Sequence, residues 1–186
     1  MRYLGLLLTI SVIFTVLFAS CSTFDSRPSL DYQEGHIFAS CEFLVDGEPI
    51  KADVEIAAAE YDSEGRMLAR DMSLTVVDNS IIKGVSFYLE NGGFYVAAGN
   101  MKIPVKDEGA ISGIRDILSL FCISEDSYYS SEKVTEEGLD CVRSVYVSGD
   151  NRAEVTLDLS CRLPTRICAV VNGRELSCDV RLIRVE

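Results

Sequence analysis

Four short turn sequences, Asp46-Gly47, Asn91-Gly92, Gly99-Asn100 and Asn172-Gly173, each stand between stretches in which apolar and polar residues alternate. Asn-Gly and Asp-Gly pairs reach positive φ at little cost, so they close two-residue hairpins whose twist suits the flanking strands. Such a hairpin leaves no freedom of register, because partners follow by counting outward, and a slip of one residue would move every apolar side chain to the wrong face. Counting from Asp46-Gly47 pairs Val45 with Glu48, Phe43 with Ile50, Cys41 with Ala52, Ala39 with Val54 and Ile37 with Ile56. Glu42 then meets Lys51 on the other side, so one face is dry and the other charged.

The remaining turns extend the same face. A strand over residues 67–77 offers Met72, Leu74 and Val76 to Ile56, Val54 and Ala52 across a bulged loop. Asn91-Gly92 pairs Leu89 with Phe94, Phe87 with Val96 and Val85 with Ala98. Gly99-Asn100 matches Ala98 with Met101, Val96 with Ile103 and Phe94 with Val105. Near the C-terminus, Asn172-Gly173 sets Ile167 beside Cys178, Ala169 beside Leu176 and, on the outside, Arg166 beside Asp179. Val155, Leu157, Leu159 and Cys161 alternate with polar residues, and a three-residue connection through Pro164 is expected to bring Cys161 beside Ile167.

Between these blocks the period changes. Ile111, Ile114, Ile117, Leu118, Phe121 and Cys122 recur at helical spacing, so residues 107–123 are predicted to form an amphipathic helix with Asp107 as its N-cap. Residues 124–138 (SEDSYYSSEKVTEEG) read as a solvated acidic loop. An antiparallel sheet with one dry face must curl on itself or be covered. The expected fold is therefore mainly β (α+β): a strongly curved antiparallel sheet or incomplete β-barrel of about ten strands, with one amphipathic helix in its concave face.

The beginning of the chain bears on location. Met1-Arg2-Tyr3, an uncharged apolar run from Leu4 to Phe18 and the small residues Ala19-Ser20 precede Cys21, a secretory signal pattern. Phe18-Ala19-Ser20-Cys21 resembles the bacterial lipobox, which implies cleavage before Cys21 and acylation of its thiol. The expected division is a signal peptide over 1–20, a lipidated polar tether over 21–34 and a single domain over 35–186. Such a chain is expected to be exported and held on the cell membrane or outer membrane by that lipid. Formal net charge is −12 with no basic stripe, which argues against a nucleic-acid partner.

Candidates for chemistry are few. Beyond Cys21 there are Cys41, Cys122, Cys141, Cys161, Cys168 and Cys178, which export would allow to pair. The counted registers disfavour Cys161 with Cys178 and leave Cys141 with Cys161 open, beside a reading as buried free thiols. Without a CxxC pair, clustered metal ligands or a second histidine beside His36, neither a redox centre, a metal nor a histidine-based triad is expected, and no cofactor. Ile81 and Ile82, adjacent aliphatics in a short loop, must tuck against the sheet or meet a lipid or protein.

The order of elements, hairpins, a helix after the sixth strand, an acidic stretch and a C-terminal meander, resembles that of the lipoprotein-localisation family, the LolA carrier and LolB receptor group. This resemblance implies an unclosed barrel with a helical lid over an apolar cavity that takes acyl chains, and in LolB-like members an exposed apolar residue where Ile81 or Ile82 stands. Phe87, Phe94, Val96, Ile111, Ile114, Leu118 and Phe121 are the cavity candidates, and Ile81 and Ile82 those for membrane or partner contact. The function expected is a monomeric, non-catalytic module binding a lipid, a lipoprotein acyl chain or another apolar ligand; the alternative is an envelope interaction protein with a filled core.

Overall fold

The computed structural model describes residues 27–45, 48–79, 81–106 and 110–186, with only the backbone of Val45, Ala110 and Ile111. Eleven strands follow one another: β1 (Ile37–Val45), β2 (Glu48–Ile56), β3 (Met72–Asp78), β4 (Val85–Glu90), β5 (Gly93–Ala98), β6 (Met101–Pro104), then helix α1 (Ala110–Ser119), β7 (Tyr128–Glu136), β8 (Leu139–Ser148), β9 (Asn151–Asp158), β10 (Pro164–Val171) and β11 (Arg174–Val185). They form one antiparallel sheet in the order β6-β5-β4-β3-β2-β1-β11-β10-β9-β8-β7. The first strand pairs with the last, so β6 and β7 become the two free edges and the sheet stays open. Because the chain passes from β6 to β7 through α1, the helix connects one edge to the other and lies over the apolar face.

The registers counted from the four two-residue turns are those observed. Ile37 faces Ile56 and Val45 faces Glu48; Ile56, Val54 and Ala52 face Met72, Leu74 and Val76; Phe87 faces Val96; Val96 faces Ile103; Ile167 faces Cys178. Arg166 and Asp179 form an ion pair at 3.3 Å. At the tip of β4–β5, Asn91 and Gly92 take φ of 49° and 74°, the conformation a primed turn demands. The Asp46-Gly47 turn and the Asp107 cap lie outside the described residues.

Several expectations are corrected. Residues 124–138 are not a loop: a 3-10 turn over Glu125–Ser127, capped by the Ser124 hydroxyl, leads into β7. That strand sits at an edge and presents mostly polar groups to water, so its sequence carries no apolar alternation. The connection from β9 to β10 is longer than three residues. Val155, not Cys161, stands beside Ile167, and Leu159 and Cys161 are exposed in the turn. The polar stretch expected to be tether over 21–34 ends earlier, since Leu30, Tyr32 and Gln33 are buried. Strand β3 starts at Met72 rather than Met67, which instead bridges Tyr61.

One core fills the space between α1 and the centre of the sheet. Ile117, Leu118, Leu120 and Phe121 meet Ile37, Phe43, Ile56, Leu74, Val155, Ile167 and Cys178, all essentially without solvent contact. At about 1.5 to 3 kcal/mol per large apolar side chain, this burial is the main term holding the fold.

The segment before β1 is stapled to the sheet by Arg70. Its guanidinium donates to the carbonyls of Gln33, Ala57 (2.6 Å) and Gly35 (2.8 Å). The Gln33 amide, turned to satisfy both groups, donates to the Ile123 carbonyl at 3.1 Å and accepts from the Ile123 N–H at 3.3 Å. The chain after α1 is thereby tied to the chain before β1.

Candidate functional site

The described residues of the helix lie over only part of the sheet. Its ten residues lie nearest β3 among the strands, and beyond that line the apolar face changes character. Val85, Phe87 and Leu89 on β4 and Val96 on β5 are only half-buried, and Phe94 is the one large side chain of β4–β6 that is fully covered. On β6 the inward residues Met101 and Ile103 are 66% and 55% exposed. Clustered apolar exposure of this kind marks a contact surface, whereas single exposed residues do not.

The other side of the same strands is sealed. Lys102 puts its ammonium 4.4 Å and 5.0 Å from the ring centres of Tyr88 and Tyr95 and 2.5 Å from a Glu90 carboxylate oxygen. This clamp holds β6 to β4 and β5 from outside, so the edge hairpin is built although its inner face is bare. Register places Lys102 at the non-hydrogen-bonded position of the hairpin and Pro104 two residues on, where its backbone has no donor. The N–H and C=O of Lys102 therefore point to the free edge, where Pro104 adds a carbonyl but no donor, and apolar side chains stand beside them.

At the end of this face stands the loop between β3 and β4. The Asn79 carboxamide oxygen accepts from the N–H groups of Ile81 (2.9 Å) and Ile82 (3.2 Å), and Gly84 N–H donates to the Val76 carbonyl at 2.7 Å. Gly84 has φ of 79°, which a side chain would strain. The tight loop separates the two isoleucines: Ile82 packs on the core, while Ile81 is 88% exposed. Val85, Ala98 and Met101 follow one another across β4, β5 and β6 at that end, so the loop that carries Ile81 leads directly into the first residue of this row.

The structure thus divides the candidates. Leu118 and Phe121 belong to the filled core. Phe87 and Phe94 pack at 6.4 Å between ring centres and, with Val96 and Ile114, line the border between core and open face. The side chain of Ile111 lies outside the described residues, as does Cys21. Met101 and Ile103, the most open inward residues of β4–β6, were not among the candidates. Their signal was present, since a hairpin that ends immediately before the helix leaves β6 without a later partner.

The interior also holds polar groups. Ser144 and Tyr146 point inward from β8, and their hydroxyls have no hydrogen-bond partner among the described residues. Burial pushes the Tyr146 phenol up to about 12 and raises that of Tyr32 further. The six described cysteines are free thiols, and burial raises those of Cys122 and Cys141. Cys141 faces Asp158 rather than Cys161. His36 lies at the surface, 3.0 Å from a Glu55 oxygen. Among the described residues no group of three metal-ligating side chains occurs, and no helix is long and apolar enough to cross a membrane.

Two concavities lie on the outer face, one of about 700 Å³ over Leu44, Glu154, Cys168 and Ser177, the other of about 520 Å³ over Phe38, Ser40, Asp53 and Thr75. Both are lined by mixed polar and apolar groups and are separated by the sheet from the open apolar end.

No known family matches the chain, and no curated protein does. Solved structures share its fold. MucB superposes with a TM-score of 0.51 at 14% identity, covering 90% of this chain and 59% of that one. An uncharacterised conserved protein from Thermus thermophilus superposes at 0.50 and 10% identity, covering 86% and 83%. A LolA superfamily protein from Nitrosomonas europaea covers 83% and 87% at 7% identity with a TM-score of 0.37. This chain therefore spans about three fifths of MucB. At such identities the likeness is one of fold alone, an open antiparallel sheet with a helix across it.

Proposed function

We propose that the chain is an exported, non-catalytic module, anchored by lipid on Cys21, that takes an acyl chain of a lipid or lipoprotein on the open apolar end of the sheet. The observation that carries this reading is the bare inner face of β4–β6, where Met101 and Ile103 are exposed beside half-buried Val85, Phe87 and Val96. An acyl chain has the chemistry to cover it, since it is apolar along its length and demands no hydrogen bonds from a face that offers few. Each methylene it buries contributes about 0.8 kcal/mol. Phe87 and Phe94 would form the floor, Ile103 and Met101 one side and Ile81 the mouth.

The packing beneath α1 favours a second reading, in which the core is simply filled and the open end meets an envelope protein. Native mass spectrometry of protein extracted from its own cells separates the two. A co-purifying lipid that is lost in Ile103→Glu supports acyl binding. A lipid-free protein that crosslinks in cells through residue 81 or 103 to one protein partner would instead support the second reading.

A further inference from the structure

The first described residues fix where the chain enters the fold. Arg27 places its guanidinium 5.7 Å from the ring centre of Tyr128 at the start of β7, and the Leu30 N–H donates to the Glu125 carboxylate at 2.9 Å. Six steps separate Cys21 from Arg27, so even at full extension they are no more than about 20 Å apart. A domain of this size has a radius of gyration of about 15 Å and hence a diameter of about 40 Å. Arg27 therefore cannot lie beyond the domain's midline as seen from a bilayer that holds lipid on Cys21.

The surface at that place has interfacial chemistry. The register of β7 against β8 shifts between Tyr128 and Ser130, and the residue at the shift, Tyr129, is 75% exposed. Tyrosine settles where an aromatic body meets hydrocarbon and its hydroxyl stays wet, and a neighbouring arginine can keep its head at that level along an apolar stem. The acidic chain, at −12 overall, points to the headgroup boundary of zwitterionic lipid rather than to anionic lipid. We infer that the corner of Arg27 and Tyr129, at the start of β7, rests on the headgroup region of the membrane that carries the Cys21 lipid. This sets the domain with the start of β7 toward the bilayer. The inference rests on the anchoring at Cys21 proposed above.

The chain contains no tryptophan, so one substitution makes a clean reporter. Tyr129→Trp and, as a control, Leu139→Trp would be purified with their lipid and reconstituted into phosphatidylcholine vesicles. Leu139 opens β8, about 24 Å along the strand from the Tyr146 that faces Tyr128. Tyr129→Trp is expected to shift its emission to the blue on reconstitution and to be quenched by brominated phosphatidylcholine several-fold more than Leu139→Trp. Equal, water-like emission and quenching in both acylated proteins would overturn the orientation while leaving the anchor intact. Absence of acyl groups on Cys21 by mass spectrometry would overturn both.

Discussion

The two ends of the apolar face differ in one respect, what covers them. Around β1, β2, β3, β10 and β11 the inward residues meet α1 and the segment before β1, and Ile37, Ile56 and Leu74 lose all contact with water. On β4 to β6 the same alternation continues with the same residue types, yet Met101 and Ile103 stay exposed. Alternation specifies which side of a strand faces inward. Whether that side is buried depends on where the covering element lies, and the described residues of α1 lie against β3.

Four measurements would break or sharpen this contrast. Phe121→Ala, in the covered part, should lower stability by about 3 to 5 kcal/mol in urea unfolding, because it leaves a cavity in a filled interior. A cost below about 1 kcal/mol would mean that the space under the helix is loose and available to ligand after all. Arg70→Met should cost about 2 to 3 kcal/mol, since three carbonyls lose their donor. Its thermal unfolding should show the chain before β1 releasing first, read by faster amide exchange at residues 30–35.

The buried phenols make a pH test. Below pH 10 Tyr146 is protonated in both folded and unfolded chains, and stability is at its full value. Above pH 10 the unfolded chain ionises first, so stability falls between pH 10 and 12 as the folded-state pKa is approached. Tyr146→Phe should reduce that loss. At neutral pH it should change stability by no more than about 1 kcal/mol, because its hydroxyl has no partner to lose. The smallest effect is expected at the open end, where Ile103→Glu should leave stability within about 0.5 kcal/mol while abolishing co-purification of lipid. A large destabilisation by Ile103→Glu would show that the edge is part of the core.

The hairpins of β1 with β2, β4 with β5 and β10 with β11 were legible to the residue, because turn chemistry and alternation both specify their register, whereas those closed by Glu137-Gly138 and Gly149-Asp150 were not. Nor was the longer connection from β9 to β10. There the expected placement of Cys161 failed because nothing local counts the residues of a turn with no φ-positive pair at its centre. β7 was missed because an edge strand wet on both faces has the composition of a loop, and Leu30 with Tyr32 because two apolar residues in a polar stretch show no period. The site was half legible. The place of Ile81 in a loop and the inward side of Phe87 followed from sequence, whereas the division between filled core and open face did not, since Leu118 and Ile103 are equally apolar.

What the residues determine by themselves is pairing between neighbours and the sidedness of each strand, both matters of local stereochemistry and of a period of two. The closure of β1 on β11, the span of α1 and the exposure of Met101 and Ile103 are decided by tertiary structure. They depend on where α1 lies across an eleven-stranded sheet, a placement that no local pattern contains.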